Sequence, residues 1–306
     1  MSSVADFRGV MMRSDGIPPR GSGGLCGTFR CVGFVAKVCV GMMGADDTNN
    51  ASIIERRLLT DDLMILRVKR DDGPVAPFKP GQWCSLGLPR ADDGTSPLAA
   101  RRPGRVRRVR RAYSIASSPA ERDSVELCIV RVPGGSLTPR LWQLPEGGRV
   151  WMDDRILGEF TLDPVPADAN VLMVATGTGI APFVSMVRAF RGERRWRRLV
   201  VMHGVRLAAD LAYREELEQA AHDDPTMLYL PTVTREPADS DWDGLRGRVT
   251  ALVSAESFTA QTGLTLDAAT WHVMLCGNPV MIDDVTALLA PMGFEETRNL
   301  HFERYW

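Results

Sequence analysis

The chain has 306 residues, 44% of them hydrophobic, and a formal net charge of -1 from 37 Lys and Arg against 38 Asp and Glu. This length is sufficient for two hydrophobic cores, and the balanced charge excludes a general attraction to nucleic acid or an anionic membrane. The longest apolar run, residues 31–43, is interrupted by Lys37 and is shorter than the about 20 residues that span a bilayer. We therefore expect no membrane span and no nucleic-acid partner.

The cysteines are scattered without a C-x-x-C pair, which argues against a built-in iron–sulfur cluster. They are Cys26, Cys31, Cys39, Cys84, Cys128 and Cys276. Such a distribution is typical of reduced, mostly buried thiols, and it predicts a cytoplasmic protein.

Residues 1–50 contain Gly, Pro and Asn clusters without a sustained hydrophobic period. We expect a poorly ordered N-terminal extension. Its apolar run follows Arg30, which lies unusually deep in the chain for a signal peptide.

Short β-rich runs separated by Gly, Pro or Asp begin at Ser52. They are residues 52–59, 63–68, 82–88, 112–116, 125–132 and 149–152. A helical turn over 137–144 interrupts them, and a connection with Pro164 and Pro166 follows. The close spacing predicts an antiparallel β-barrel over residues 51–155, with a domain boundary near 156.

Apolar runs then alternate with helical patterns. The runs and their helices are 171–175 with 183–190, 199–203 with 211–221, and 272–276 with 281–289. Fully apolar strands are typical of a parallel sheet that is covered on both faces. Residues 156–306 are therefore predicted to form an α/β domain with a mainly parallel five-stranded sheet.

A glycine-containing turn follows the first of these strands, in Thr176-Gly177-Thr178-Gly179-Ile180-Ala181-Pro182. Glycines allow the backbone to approach a phosphate, and the free amides at the start of the next helix favour an anion. The turn therefore indicates a pyrophosphate site, although a tight turn without a ligand would have the same pattern.

The segment Arg111-Ala112-Tyr113-Ser114 lies in the barrel. It resembles the flavin-binding strand of the ferredoxin–NADP reductase superfamily. A guanidinium binds a pyrophosphate in a bidentate manner, and a tyrosine two residues later shares its strand face. The resemblance implies that Arg111 binds the FAD pyrophosphate, Tyr113 covers the flavin ring and Ser114 approaches flavin N5. An ordinary edge strand is the alternative.

Two further segments resemble the same superfamily. The segment 132–141 is similar to the second FAD phosphate segment, a Gly and then a Ser or Thr at a short helix. The implied FAD contacts in this segment and just before it are Val130, Val132, Gly135, Ser136, Leu137 and Thr138. Cys276-Gly277 ends a strand where the superfamily places a cysteine near the nicotinamide. A helix cap and a core cysteine are the alternative explanations.

The resemblance extends from about Ser52 to Trp306 and is closest to the bacterial-type ferredoxin/flavodoxin–NADP(+) reductases. It includes Phe78-x-x-Gly81-Gln82 and the ending Glu303-Arg304-Tyr305-Trp306. It implies that Tyr305 lies by the flavin and Trp306 over the FAD adenine, and that Glu303 hydrogen-bonds or relays a proton. The candidate catalytic residues are Ser114, Cys276 and Glu303.

Positive charge near the predicted nucleotide site indicates NADPH as the cofactor, because its 2′-phosphate requires a cation. Arg206, Arg235 and Arg248 match positions that resemble the 2′-phosphate pocket of the bacterial-type reductases. Solvated surface arginines are the alternative.

A basic segment, residues 101–111, contains seven arginines and departs from the family by its length. Its charge would attract an acidic carrier protein and raise the association rate. A solvated loop is the alternative; nucleic acid is disfavoured because no aromatic residue interleaves with the arginines.

We thus expect a monomeric FAD-dependent oxidoreductase that exchanges electrons between NADPH and ferredoxin or flavodoxin, without a metal. One alternative is the reductase component of an oxygenase system, or a flavin reductase. Another is a non-catalytic flavin-binding subunit, but this would require neither Cys276-Gly277 nor the three arginines.

Overall fold

The computed structural model of the protein describes residues 49–90, 107–193 and 195–305. Within these ranges the chain forms two sheets, an antiparallel sheet followed by a parallel one with helices. No helix among these residues has both the length and the apolar character needed to cross a membrane. The predicted extension 1–50 lies almost entirely outside the described residues.

The first sheet has six antiparallel strands in the order β4-β3-β6-β1-β2-β5. They are β1 Ala51–Thr60, β2 Leu63–Arg70, β3 Trp83–Pro89, β4 Arg108–Ser114, β5 Val125–Val130 and β6 Arg149–Met152. An antiparallel bridge between Ile115 and Leu127 joins the two edges of the sheet just after β4. A four-residue helix, α1 Thr138–Leu141, precedes β6.

The first half of strand β2, residues 63–66, is apolar on both faces because each face contacts a different core. Met64 and Leu66 lie in the core inside this sheet. Leu63 and Ile65 point to the opposite face and pack with residues of the α/β domain. Alternation of side chains along the strand therefore places one β-strand in two cores.

The second sheet has six strands, all parallel, in the order β10-β9-β8-β7-β11-β12. The strands are β7 Asn170–Thr176, β8 Arg198–Val205, β9 Met227–Val233, β10 Leu245–Arg246, β11 Trp271–Gly277 and β12 Leu300–Arg304. The helices are α2 Ala181–Phe190, α3 Arg214–Asp223, α4 Ala255–Thr262 and α5 Pro279–Leu289. The predicted fold is confirmed; the sheet has six strands rather than five, with β10 only two residues long.

The apolar sequence of β7 has the same explanation as that of β2. Val171, Met173 and Ala175 lie in the core shared with the first sheet. Leu172 and Val174 lie in a second core, beneath α5. A parallel sheet covered on both faces needs such continuous apolar strands.

Two boundaries differ from the sequence prediction. Strand β4 begins at Arg108, four residues before the predicted start, so that the basic segment partly belongs to a strand. The Asn50 side chain pairs with the backbone of Met152 as an adjacent strand would. It accepts a hydrogen bond from Met152 N at 2.8 Å and donates one to Met152 O at 2.9 Å. Asn50 therefore packs with the barrel rather than with the extension.

Helix α2 is joined to the barrel by buried polar contacts. Ser185 donates a hydrogen bond to Ser117 O at 2.7 Å, and Arg188 donates to Ala116 O at 3.0 Å. Arg188 also forms ion pairs with Glu126 of β5 at 2.8 Å and with Glu216 of α3. A half-buried guanidinium is tolerated because every one of these acceptors is in place. These contacts hold the segment after β4 against the α/β domain.

The Gly81-Gln82 motif has a structural explanation in the connection between the two sheets. Gly81 has φ +99°, and a Cβ there would lie 1.9 Å from Phe160 O. Gln82 accepts from Lys79 N at 2.9 Å and donates to Gly158 O at 2.9 Å. The motif thus secures the chain that leads out of the barrel.

Candidate active site

The direction of strand addition reverses between β7 and β11, which are neighbours in the parallel sheet. Parallel α/β sheets bind ligands in the crevice outside the carboxyl ends of their strands at such a switch point. The turn Gly177–Ile180 follows β7 at this place, and Cys276-Gly277 ends β11 beside it. The two segments that the sequence singled out are therefore adjacent.

Close packing joins the glycine turn to the end of β11. A Cβ at Gly179 would lie 2.4 Å from Cys276 O, so only glycine fits at this position. The Thr176 hydroxyl accepts a hydrogen bond from Asn278 N at 2.9 Å. Gly277 has φ +128°, and a Cβ there would collide with Thr176. The glycines at this crevice thus serve packing between the segments as well as access for a ligand.

Ser114, Glu303, Tyr305 and Cys276 form a cluster beside this crevice. The Ser114 hydroxyl donates to Glu303 Oε2 at 3.0 Å and accepts from the Tyr305 hydroxyl at 2.7 Å. Glu303 of β12 is the ladder partner of Cys276 on β11, and Tyr305 N donates to Gly277 O at 2.9 Å. All three predicted catalytic residues are therefore brought together.

The cluster is shielded from water, and this changes its acid–base properties. Burial raises the pKa of the Glu303 carboxyl above its ordinary value, against the opposing effect of the Ser114 hydrogen bond. Burial, with a further contribution from Glu303, raises the pKa of the Cys276 thiol well above its usual range. Cys276 is thus a neutral thiol at physiological pH, and the Glu303 carboxyl is protonated more readily than an exposed carboxyl.

A basic cavity of about 660 Å³ lies on the barrel side. Its walls come from β4, from the end of β3 and from the segment before α1. The lining residues are Arg90, Arg108, Val109, Arg110, Arg111, Gly135, Ser136 and Arg140. Five guanidinium groups around one cavity of this size fit an extended polyanion such as a dinucleotide pyrophosphate.

Tyr113 provides a second indication that a group binds beside β4. Its hydroxyl is buried and has no hydrogen-bond partner within the described residues. Buried hydroxyl groups nearly always have a partner, so this one is suited to a ligand. Ala112, next to it, is exposed on this edge strand. The residues of β4 therefore fit a bound flavin nucleotide.

The segment 130–138 faces the same cavity through Gly135 and Ser136. The Thr138 hydroxyl accepts from Val132 N at 2.9 Å, which closes the loop on itself. Helix α1 has Leu137 at its N-cap, without a side-chain cap, so neither Ser136 nor Thr138 is the helix cap. Val130 and Val132 are 45% and 51% exposed, an apolar surface available to a planar ring.

The three predicted phosphate-binding arginines follow neighbouring parallel strands. Arg206 comes after β8, Arg235 after β9 and Arg248 after β10. Arg235 N donates to Arg206 O at 2.8 Å, which joins the first two loops. All three side chains are exposed, and in the described part of the chain none has an ion-pair partner. Arg246, in contrast, donates to Glu236 O and Trp242 O.

Comparison with known proteins decides the family. Residues 173–287 match the family described as the oxidoreductase NAD-binding domain. The flavodoxin/ferredoxin–NADP reductase of Escherichia coli (strain K12) is 38% identical over 226 residues, 74% of this chain and 83% of that protein. The chain belongs to the flavodoxin/ferredoxin–NADP reductase family. The ferredoxin–NADP reductase A of Sorangium cellulosum is 35% identical over 254 residues, 80% of this chain and 84% of that protein.

Solved structures share the fold of this flavodoxin/ferredoxin–NADP reductase family member. A ferredoxin NADP+ reductase from Neisseria gonorrhoeae with bound FAD and NADP has a TM-score of 0.71 and 22% identity, and 84% of this chain and 98% of that chain are covered. A cytochrome P450 reductase from Amycolatopsis has a TM-score of 0.65 and 26% identity, with 84% and 69% covered. Both likenesses show the two-domain fold.

Some residues of the site in this family member were missed by the sequence interpretation. Arg90 and Arg140 line the basic cavity, and Arg140 donates to Pro89 O at 2.7 Å. His203 is buried under the glycine turn, where its Nε2 lies 2.9 Å from Gly177 O. The only sequence signal for His203 is a polar residue near the end of an apolar strand. Two predictions, Trp306 and the part 101–106 of the basic segment, lie outside the described residues.

Replacement of Glu303 by Gln is expected to stabilise this reductase at neutral pH but not in acid. The folded-state pKa of Glu303 is raised above its ordinary value of 4.5, so the wild type has its full stability below 4.5 and loses part of it as pH rises through the folded-state pKa. Gln cannot ionise and avoids this loss. Urea unfolding over a pH series measures the free energy of unfolding of the two proteins. A difference in this free energy that does not change with pH would contradict the prediction.

Proposed function

We propose that the protein is an FAD-dependent oxidoreductase that exchanges electrons between NADPH and a one-electron carrier, ferredoxin or flavodoxin. One observation carries the proposal, a continuous path of contacts from the basic cavity to the glycine turn. Strand β4 lines the cavity and ends at Ser114, Ser114 bonds Glu303 and Tyr305, and their neighbour Cys276 packs on the turn. A flavin site and a nicotinamide site would thus share one boundary.

FAD, when bound, supplies the conversion between a two-electron hydride and single electrons, which nicotinamide by itself cannot perform. The protein's own residues then have to align the two rings and exclude water. The dry surroundings of Ser114 and Cys276, 6% and 0% exposed, are suited to this. Glu303 accepts a hydrogen bond from the Ser114 hydroxyl, and the Tyr305 hydroxyl fixes the orientation of that hydroxyl.

The barrel side would hold FAD. Arg111 is proposed to bind the pyrophosphate, with Gly135 and Ser136 on the opposite side of the cavity. Tyr113 and Tyr305 would contact the ring system. Ala112, Val130, Val132, Leu137 and Thr138 would shape the surrounding surface.

The parallel sheet would hold NADPH. Thr176, Gly177, Thr178 and Gly179 are proposed to bind its pyrophosphate at the switch point. Cys276 and Gly277 would face the nicotinamide. Arg206, Arg235 and Arg248 would bind the 2′-phosphate, since their exposed guanidinium groups follow adjacent strands and are free to contact an anion.

The carrier protein is proposed to dock at the barrel face that contains residues 107–111, the described part of the basic segment 101–111. Its described part presents exposed arginines on edge strand β4, and Arg108 and Arg110 stack on Trp151 at 5.4 and 5.3 Å. Acidic carriers would be steered to this face. We propose a cytoplasmic monomer, because docking at the flavin edge requires only one chain.

The visible absorption spectrum of the purified protein, before and after anaerobic addition of NADPH or NADH, tests the proposal. A flavin band that NADPH bleaches efficiently and NADH poorly is expected. A colourless protein that does not take up FAD would overturn the proposal. Rapid reduction by NADH alone would overturn the assignment of the three arginines but not the flavin site.

A further inference from the structure

His203 is a fully buried polar residue on β8, which is apolar apart from the exposed Arg198 at its start. Its ladder partners are Ala175 on β7 and Pro231 on β9. Both ring nitrogens have partners, Nε2 at 2.9 Å from Gly177 O and Nδ1 at 3.2 Å from the Tyr229 hydroxyl oxygen. No step of the proposed reaction uses this histidine, and its Nε2 hydrogen bond acts on the turn above it.

The partners determine the protonation of the ring. A carbonyl oxygen only accepts, so Nε2 carries the hydrogen that is donated to Gly177 O. Nδ1 is then unprotonated and accepts from the Tyr229 hydroxyl. Burial lowers the pKa of His203 to about 4, against the opposing effect of the Gly177 hydrogen bond. The ring is therefore neutral at physiological pH, and Tyr229 favours the tautomer that holds Gly177.

The hydrogen bond determines the direction of one peptide group. The Gly177–Thr178 peptide is trans, so the Thr178 N–H points away from the carbonyl that His203 holds. Gly177 has φ +53°, and an added Cβ would meet no atom within 4 Å. The peptide belongs to the 3-10 turn Gly177–Ile180, and the hydrogen bond that His203 donates to Gly177 O restrains its orientation further.

We propose that His203, oriented by Tyr229, is a positioning residue that directs the Thr178 amide towards the pyrophosphate of the nicotinamide dinucleotide. The proposal rests on the proposed function, since it assumes that this turn binds NADPH. His203 acts through Gly177 and does not touch the ligand. Its loss should therefore weaken ligands that contain a pyrophosphate and leave a ligand that lacks one unaffected.

Calorimetric titration of the FAD-loaded protein with NADP+ and with adenosine 2′-monophosphate tests this proposal. His203→Phe keeps a ring but removes both hydrogen bonds, and it is expected to weaken NADP+ binding about 10-fold. His203→Gln can still donate to Gly177 O and is expected to restore most of the affinity. Tyr229→Phe should weaken NADP+ about 3-fold. Binding of adenosine 2′-monophosphate should stay within about 2-fold of wild type in all three variants.

Two results would overturn the positioning role while the proposed function stands. One is unchanged NADP+ affinity in Tyr229→Phe and in any His203 variant that folds, as judged by FAD content and unfolding midpoint. The other is an equal loss for both ligands, which would indicate a general distortion of the sheet. If wild-type protein binds neither ligand, the proposed function itself fails, and the inference fails with it.

Discussion

Simultaneous replacement of Arg206, Arg235 and Arg248 by alanine is expected to weaken NADP+ binding by about 100-fold. Each exposed guanidinium contributes about 1 kcal/mol to binding of a phosphate after screening by solvent, and 1.4 kcal/mol corresponds to a factor of ten. KM for NADPH should rise accordingly, whereas KM for NADH should not change, because NADH lacks the 2′-phosphate. Steady-state kinetics with both nucleotides measures the effect.

Arg197→Ala is the matched control for this triple variant. Arg197 immediately precedes β8 and so lies at the amino edge of the sheet, whereas Arg206 follows the same strand at its carboxyl edge. Its side chain is 65% exposed and pairs with Asp168 at 3.4 Å. The control removes one positive charge from the same sheet and should leave both KM values unchanged. An equal rise in KM for NADPH and for NADH in the triple variant would show that the arginines do not bind the 2′-phosphate.

Arg111→Ala is expected to weaken FAD binding by about 10-fold to 100-fold. The guanidinium lines the cavity between β4 and the segment before α1, and its Nη1 is already oriented by a hydrogen bond to Arg110 O at 2.8 Å. A charge-assisted bidentate contact with a pyrophosphate contributes about 1.5–3 kcal/mol. The dissociation constant for FAD, measured by titration of flavin-free protein, and the flavin content after purification report the loss.

Two further variants make this prediction specific. Arg111→Lys retains the charge but not the planar pair of donors, so its FAD affinity should lie between those of wild type and Arg111→Ala. Arg57→Ala removes an exposed arginine from β1 and should retain full flavin content. Full flavin retention in Arg111→Ala would assign the pyrophosphate to the other arginines of the cavity.

The sequence alone predicted the fold class, because the patterns that encode it are local. Continuous apolar runs such as 171–175 indicate strands buried on both faces, and closely spaced β-rich runs indicate an antiparallel barrel. The structure confirms both. The short strand β10 was not predicted, because two residues are too few to show a hydrophobic period. The early start of β4 was not predicted, because a run of arginines has the composition of a loop.

The candidate site was predictable in its parts but not in its assembly. Each motif is a short stretch whose backbone and donors suit one type of ligand, and each can be recognised without knowledge of the rest. The contact between Ser114 and Glu303 joins residues that are 189 positions apart. It depends on the register of β12 beside β11 and on the packing of the barrel against the parallel sheet, neither of which any local pattern specifies.

The sequence by itself thus determined an antiparallel β part followed by an α/β part, and it predicted a turn suited to a phosphate and residues suited to a flavin and a nicotinamide nucleotide. Only the tertiary structure decided that Cys276, Glu303 and Ser114 share one buried cluster and that Arg206, Arg235 and Arg248 follow adjacent strands. It also decided that His203 lies beneath Gly177. The physical reason is that local conformation follows from side chains that are neighbours in the sequence. Contacts between residues distant in the sequence depend on strand order and on shared cores, and these form only when the whole chain is folded.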